Sequence, residues 1–239
     1  MLITVVQPQI EILTPLNDTH LKLLELAGRT AYKSEDRITK QSAGKFVKMI
    51  RDLGHESVLE HVSASVRIIG SRSMSHQLVR HRLNSFVQES QRFCNYAKKG
   101  FQVICPPKIG LPCGPYHFSE EYTFDFYMDD TFLEQYPDNW FTSLSRQWLA
   151  FRADNYTEYL MYLKKGMPPE DARECLPNAT KTEIVMTANL RQWRHLFEIR
   201  ALNKHSQWQI RGLMQSVLIE FGKALPEVFG DQLLQINAE

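Results

Sequence analysis

The stretch from residue 80 to residue 92 reads Arg-His-Arg-Leu-Asn-Ser-Phe-Val-Gln-Glu-Ser-Gln-Arg. It places three guanidinium groups and one imidazole close together, among several hydroxyl and amide groups. The whole chain has a formal net charge of only +1, so this concentration of cations is a local feature. Arginine binds phosphate and carboxylate through paired N–H donors. The stretch therefore predicts a compact site for a small anionic ligand.

The segments on either side of this stretch show both helical and strand periodicity. Stripes of apolar residues at helical spacing predict helices, and alternation of apolar with polar residues predicts half-buried strands. The helix predicted at 72–82 would carry Gln77, Arg80 and His81 on one face. Residues 105–115 hold four prolines and predict a loop. We predict helices at 19–32, 41–53, 72–82, 120–165, 190–203 and 206–223, strands at 62–68 and 180–187, and a short edge strand within residues 2–13.

These elements predict an α+β fold in which a mixed or antiparallel sheet packs against helices, as one domain over residues 1–239. The composition, 43% hydrophobic and 23% charged, is that of an ordinary globular protein. The chain has 28 Lys and Arg against 27 Asp and Glu, which argues against a protein that grips long nucleic acid. It contains no apolar run of membrane-spanning length and no signal-peptide pattern. Four cysteines without a Cys-x-x-Cys pair indicate reduced thiols, so we expect a cytoplasmic protein.

Arg200 is the most informative residue outside the opening stretch. Trp193 and Phe197 mark the predicted buried stripe of its helix, and position 200 continues that stripe. A buried guanidinium is costly unless an anion meets it, although an internal Glu or Asp would serve as well as a ligand. Asn189 and Arg191 open the same helix, where backbone N–H groups favour anions. Asparagine is also a common helix cap, so Asn189 alone decides nothing.

The opening stretch resembles the signature of the flavin-dependent thymidylate synthases: Arg-His-Arg, seven residues, then Ser-Gln-Arg. Other blocks follow the order of that family and span residues 27–211. Their order and spacing identify the chain as a member of the family. The blocks are Ala27–Tyr32, Gly54–Glu56 with Glu60-His61, Ala172-Arg173 with Leu176-Pro177, Asn189–Arg191 with Arg200, and His205–Arg211.

The resemblance implies a methyltransferase that makes thymidylate from deoxyuridylate (dUMP). It implies 5,10-methylenetetrahydrofolate as the carbon donor, bound FAD reduced by NADPH as the hydride source, and a homotetramer with shared active sites. Arg200 would be catalytic, because a cation beside the uracil ring stabilises the negative charge that develops there. The implied dUMP-binding residues are Gln77, Arg80, Ser90, Gln91, Arg92, Arg173 and Arg200. The implied FAD-binding residues are His55, Glu60, Arg80, His81, Arg82, Gln88, Asn189, Arg191, His195 and His205.

Several alternatives remain at this point. Cys113 follows a proline, as the nucleophile of the cysteine-dependent thymidylate synthases does, but no histidine adjoins it in sequence. His55 and His61 suggest zinc, but residues six apart lie on opposite sides of an α-helix, so we expect no metal site. Ser90 lacks the Gly-x-Ser-x-Gly context of a nucleophile. A phosphate-binding nucleic-acid module and a flavin reductase without methyl transfer are the alternative functions.

Overall fold

In the computed structural model, residues 1–118, 126–127 and 143–237 are described. The chain forms two compact units, each made of discontinuous segments. The first unit comprises Met1–Pro8, Ile69–Ser75 and Gln88–Glu183, and the second comprises Gln9–Ile68, His76–Val87 and Ile184–Glu239. Helices and sheets occur together, so the α+β prediction is confirmed. The single domain over residues 1–239 stays a prediction.

The described strands form two four-stranded sheets, with the orders β5-β1-β6-β7 and β2-β3-β8-β4. The strands are β1 (Leu2–Val5), β2 (Gln9–Ile12), β3 (Ser63–Ser71), β4 (Ser85–Gln88), β5 (Phe101–Val103), β6 (Gly114–Phe118), β7 (Phe126–Tyr127) and β8 (Lys181–Asn189). The described helices are α1 (Asp18–Tyr32), α2 (Ser42–Asp52), α3 (Arg72–Leu78), α4 (Tyr96–Lys99), α5 (Ser143–Lys164), α6 (Pro169–Ala172), α7 (Leu190–Leu196), α8 (Trp208–Ala224) and α9 (Pro226–Asn237). A π-helical segment (Phe197–Leu202) extends α7, and 3-10 turns occupy Glu35–Arg37, Glu56–His61 and Arg173–Cys175.

The first unit is built on a mixed sheet. Strand β1 is parallel to β5 and antiparallel to β6, and its Ile3 and Val5 side chains are buried. The inner face of α5 supplies further core residues, among them Tyr156, whose ring stacks on Phe101 at 4.7 Å between centroids. The Tyr156 hydroxyl donates to the Tyr96 carbonyl at 3.1 Å, which satisfies its polar end inside the core.

The second unit packs helices around a cluster of aromatic rings. Trp193 meets Phe221 edge to face at 5.2 Å between centroids, and Phe197 meets Phe229 in the same way at 5.6 Å. The Trp193 Nε1 group donates to the Ala64 carbonyl of β3 at 3.1 Å, which fixes the start of α7 against that strand. The rigid attachment of α7 determines the positions of the candidate site residues that follow Asn189.

Several elements differ from the sequence predictions, and the short strands β4 to β7 and the short helices α4 and α6 were not predicted. The segment 2–13 forms two strands in two sheets, because Pro8 has no N–H to continue a ladder between them. The helix predicted at 72–82 ends at Leu78, and the following residues turn into β4. Helix α9 was not predicted. The helix predicted at 120–165 is helical from Ser143 to Lys164, and its earlier part lies outside the described residues.

Candidate functional site

The Arg-His-Arg motif lies in a turn between α3 and β4. The His81 N–H donates to the Leu78 carbonyl at 3.2 Å, and the chain turns again before β4 begins at Ser85. The prediction that Gln77, Arg80 and His81 share one helical face is therefore wrong, because the helix ends before Arg80. Within the described part of the chain, the exposed guanidinium groups of Arg80 and Arg82 make no ion pair or hydrogen bond. The turn thus presents two uncompensated cations to solvent.

Arg200 is joined to this turn by a hydrogen bond. Its Nε group donates to His81 Nε2 at 3.1 Å, so the imidazole must be neutral and carry its proton on Nδ1. Burial, and then the charges of Arg200 and His195, lower the pKa of His81 to about 4. The alternative of a carboxylate partner for Arg200 is not observed among the residues described. A neutral histidine therefore holds the guanidinium and leaves its charge uncompensated.

The π-helical segment changes the depth at which Arg200 lies. Sequence periodicity placed it on the buried stripe, but the structure leaves Arg200 half-buried and buries Ala201 instead. The wider π turn delays the buried position by one residue relative to an α-helix. Arg200 consequently lies at the boundary of the core, where a ligand can reach it.

The start of α7 holds two more candidate residues. The Asn189 side-chain oxygen accepts from the Gln192 N–H at 2.8 Å, so Asn189 is the N-cap of this helix. Arg191 donates to Glu60 at 2.6 Å, and its Nε lies 3.7 Å from Glu56. Two residues of the implied FAD set, Arg191 and Glu60, therefore pair with each other on an exposed surface.

His55 lies at the wall of two cavities in the second unit. It precedes a 3-10 turn, and its Nδ1 lies 3.0 Å from the Tyr32 hydroxyl. The larger cavity has a volume of about 870 Å³. The smaller, of about 410 Å³, is lined by His55 and also by Arg191. The remaining implied FAD residues of this unit, His195 and His205, are exposed.

Gln77 is half-buried in α3 and belongs to the second unit, whereas the other implied ligand residues lie in the first unit. The Gln88 amide donates to Ser75 Oγ at 2.8 Å and to Thr182 Oγ1 at 3.1 Å, so its nitrogen is already engaged within the protein. The Ser90 hydroxyl accepts from the Arg92 N–H at 3.3 Å. The Arg92 Nε lies 2.9 Å from Glu170. Gln91 is half-buried.

A further arginine of the first unit was missed by sequence reasoning. Arg72 is half-buried at the start of α3, and burial, together with the like charge of Arg173, lowers its pKa. In the described part of the chain the Arg72 guanidinium has no ion pair, and the Arg173 Nε comes only to 3.9 Å of Glu174. An anion between these two guanidiniums would relieve their repulsion. The signal in the sequence was an arginine directly after a strongly alternating, half-buried strand.

The cysteines lack the features of a nucleophile. Burial raises the pKa of the Cys113 thiol, and the four cysteines form no disulfide. Among the described residues, no three His, Cys, Asp or Glu side chains are placed to hold a metal ion. No helix in the described ranges has the length and apolarity to span a membrane.

Comparison with known proteins yields one consistent result. The family described as "Thymidylate synthase complementing protein" matches residues 13–227. A Corynebacterium efficiens protein named flavin-dependent thymidylate synthase is 35% identical over 220 residues, which is 91% of this chain and 81% of that protein. Proteins of the same name from Mycolicibacterium vanbaalenii and Geobacter sulfurreducens are 36% identical over 226 residues and 33% identical over 214 residues. The matched regions cover 91% of this chain and 81% of the Mycolicibacterium protein, and 86% of this chain and 79% of the Geobacter protein.

Proposed function

Because the chain belongs to the flavin-dependent thymidylate synthase family, we propose that it methylates dUMP to thymidylate with 5,10-methylenetetrahydrofolate and NADPH as co-substrates. Family membership itself makes the chain a flavin-dependent enzyme of thymidylate synthesis. The hydrogen bond between Arg200 and His81 is the observation that carries the proposal. It links the proposed catalytic residue to the Arg-His-Arg turn, two sites that the sequence separates by more than a hundred residues.

Arg200 acts on the pyrimidine ring. A guanidinium beside the uracil oxygen stabilises negative charge that builds on the ring, and so makes C5 nucleophilic without a cysteine thiolate. His81, which is neutral, orients the guanidinium without neutralising it. The raised pKa of the Cys113 thiol supports a mechanism that does not use a thiolate.

Arginines and one hydroxyl bind the nucleotide phosphate. Arg92 and Arg173 supply charge, and Ser90 supplies a hydroxyl donor. Arg92 exchanges its exposed ion pair with Glu170 for the phosphate, which costs little because surface ion pairs are weak. Arg72 adds a third cation to this set. Gln77, Arg80 and Gln91 complete the dUMP-binding residues.

The residues of the second unit fit a bound FAD. The pyrophosphate of FAD requires cations, and Arg80 and Arg82 present guanidiniums without an internal partner. Its flat ring requires an aromatic wall, which the stacked His55 and Tyr32 rings offer. The bound cofactor supplies the hydride. The further contacts that we assign to it are Glu60, His81, Asn189, Arg191, His195 and His205 of the second unit, and Gln88 of the first unit.

The protein functions as a cytoplasmic homotetramer with shared sites. Leu83 and Val87, both within the signature stretch, are 84% and 76% exposed in the isolated chain. Exposed apolar side chains next to a functional motif are typical of an interaction surface. We assign no nucleic-acid or membrane partner.

A titration tests the proposed function. The purified protein is supplied with FAD, and dUMP is added while the flavin absorbance bands are recorded. Bands that shift with dUMP, and thymidylate formation once folate and NADPH are added, are the expected results. Flavin bands that ignore dUMP would indicate a plain flavin reductase, and salt-dependent binding of long nucleic acid without flavin would indicate the nucleic-acid module.

A further inference from the structure

The larger cavity of the second unit has an uneven lining of charges. It lies between α1 and α2 and includes the loop that joins them. The lining contains four basic residues, Arg29, Lys33, Arg37 and Lys45, and one carboxylate, that of Asp36. We call it the α1–α2 pocket. Its charge favours an anionic occupant.

Three of the four cations are available to a ligand. Arg29 is occupied, because its Nε lies 2.7 Å from the buried Glu25 and its guanidinium lies over the Phe46 ring at 4.6 Å. Lys33, Arg37 and Lys45 make no ion pair within the described residues. The pocket therefore keeps an excess of positive charge.

Lys33 occupies a conformation that lysine rarely adopts. Its φ is 48° and its ψ is 48°, which makes it the one non-glycine residue of positive φ in the described ranges. Lys33 ends α1 at the position where glycine is usual, because glycine has no Cβ to clash there. Residues held in such conformations cluster at ligand-binding and other functional sites, which draws attention to the Lys33 side chain.

The pocket also has an apolar wall. Met49 and Leu53 on or next to α2 are large apolar side chains that remain exposed, and Tyr32 is exposed beside them. A ligand that fits this lining combines a flat or apolar body with two or more negative charges. Tyr32 and His55 line both this pocket and the smaller cavity that contains Arg191. The pocket is therefore continuous with the residues assigned to FAD.

We propose that the α1–α2 pocket binds the anionic tail of a co-substrate, an inference that rests on the proposed function. The required chemistry is a chain of carboxylates or phosphates attached to an aromatic group. The γ-linked glutamate tail of the folate and the adenosine phosphates of NADPH both have it. The tail lies along Lys33, Arg37 and Lys45, while the reacting end of the same molecule extends past His55.

Tail fragments test this without requiring turnover. Calorimetry on the full-length protein measures the binding of p-aminobenzoyl-triglutamate in one arm and 2′,5′-ADP in the other. Each exposed cation contributes about two- to fivefold in affinity, so the triple variant K33G/R37A/K45A loses about tenfold or more. K22A is the matched control, because Lys22 is an exposed lysine of α1 outside the pocket lining. The arm that weakens identifies the source of the anion.

Lys33→Gly separates binding from folding. Glycine relieves the left-handed strain, so this variant is expected to melt at the same or a higher temperature than the wild type while it binds the fragment more weakly. Failure of both fragments to bind the wild type, or equal binding by the triple variant, would overturn the proposal.

Kinetics distinguish this inference from the proposed function. With a triglutamate folate the triple variant is expected to show a raised KM and an unchanged kcat, if the folate arm is the one that weakens. A raised KM for NADPH is the corresponding result for the other arm. An inactive wild type that still binds a fragment would overturn the proposed function and leave the pocket standing. If the wild type is active but the triple variant has unchanged KM values, the proposed function would stand and the pocket proposal would be overturned.

Discussion

Arg200 is the residue on which the proposed chemistry depends most directly. Substitution by alanine is expected to lower turnover by about 10²- to 10³-fold, the loss seen when one preorganised donor at a developing charge is removed. FAD content and far-UV circular dichroism are expected to stay at wild-type values, because Arg200 is half-buried and pairs only with His81 among the described residues. Steady-state thymidylate formation is the measurement. Wild-type turnover in R200A would remove Arg200 from the mechanism.

His81 gives the site a defined pH dependence. The pKa of His81 is lowered to about 4 in the folded protein, whereas a histidine in the unfolded chain has a pKa near 6.5. Between these two pH values the folded protein keeps His81 neutral while the unfolded chain binds a proton. The free energy of unfolding is therefore unaffected by His81 above about pH 6.5, and it decreases as the pH falls from 6.5 toward 4. Histidine-labelled protein titrated by NMR is expected to show a resonance with a midpoint near 4 that H81N lacks.

The same titration in R200Q isolates the effect of the guanidinium. Removal of its charge is expected to raise the midpoint of His81, but not to the ordinary value, because burial is the larger cause of the shift. An unchanged midpoint would show that Arg200 and His81 do not interact in solution.

Cys113 distinguishes the two known ways of making thymidylate. Because burial raises the pKa of its thiol, the thiolate is scarce at neutral pH, and C113A is expected to retain turnover within about threefold of wild type. Activity and melting temperature are measured together. A variant that folds and binds FAD but makes no thymidylate would restore the cysteine mechanism.

At the scale of elements, Asn189 has a structural role and a proposed ligand role that can be separated. Its side-chain oxygen caps α7, so N189A is expected to lose about 1 kcal/mol of stability. Aspartate caps as well as asparagine, so N189D is expected to keep the stability. Both variants remove the amide group and are expected to bind FAD more weakly. Urea denaturation and FAD titration are the measurements, and normal FAD affinity in N189D would leave Asn189 as a cap alone.

The elements also show which structure sequence patterns can predict. Helices α1, α2 and α8 and strands β3 and β8 were predicted because each buries one face, which imposes a 3.6- or 2-residue period. Strand β4 was missed because it lies within a polar, half-exposed signature. Helix α9 was missed because it begins at Pro226, which resembles a terminator although proline is favoured at a first helical position.

The candidate site was predictable in its residue types but not in its pairings. The sequence indicated Arg200 through its helical stripe and His81 through the cation-rich stretch, but their hydrogen bond joins two elements more than a hundred residues apart. The π-helical segment buries Ala201 and leaves Arg200 half-buried, whereas the predicted stripe through Trp193 and Phe197 continued to Arg200. The pairing of Arg191 with Glu60 likewise requires the tertiary fold.

At the scale of the whole molecule, the signature stretch predicts assembly. Strand β4 is the last in its sheet order, so in the described chain one edge of it has no neighbouring strand. Leu83 precedes β4 and Val87 lies within it, and both are exposed. Burying each of these side chains against another copy would stabilise the assembly by roughly 1.5–3 kcal/mol. We therefore expect a tetramer held together partly through this stretch.

The double variant L83K/V87K is expected to sediment as smaller species and to lose thymidylate formation, because shared sites require the neighbouring copy. Its circular dichroism is expected to match wild type, since both side chains lie outside the core of the chain. L234K, which alters an exposed leucine of α9, is the control and is expected to stay tetrameric. Sedimentation velocity at several concentrations measures the size. A wild type that is monomeric and active would contradict both the assembly and the shared site, and a tetrameric, active double variant would move the interface away from β4.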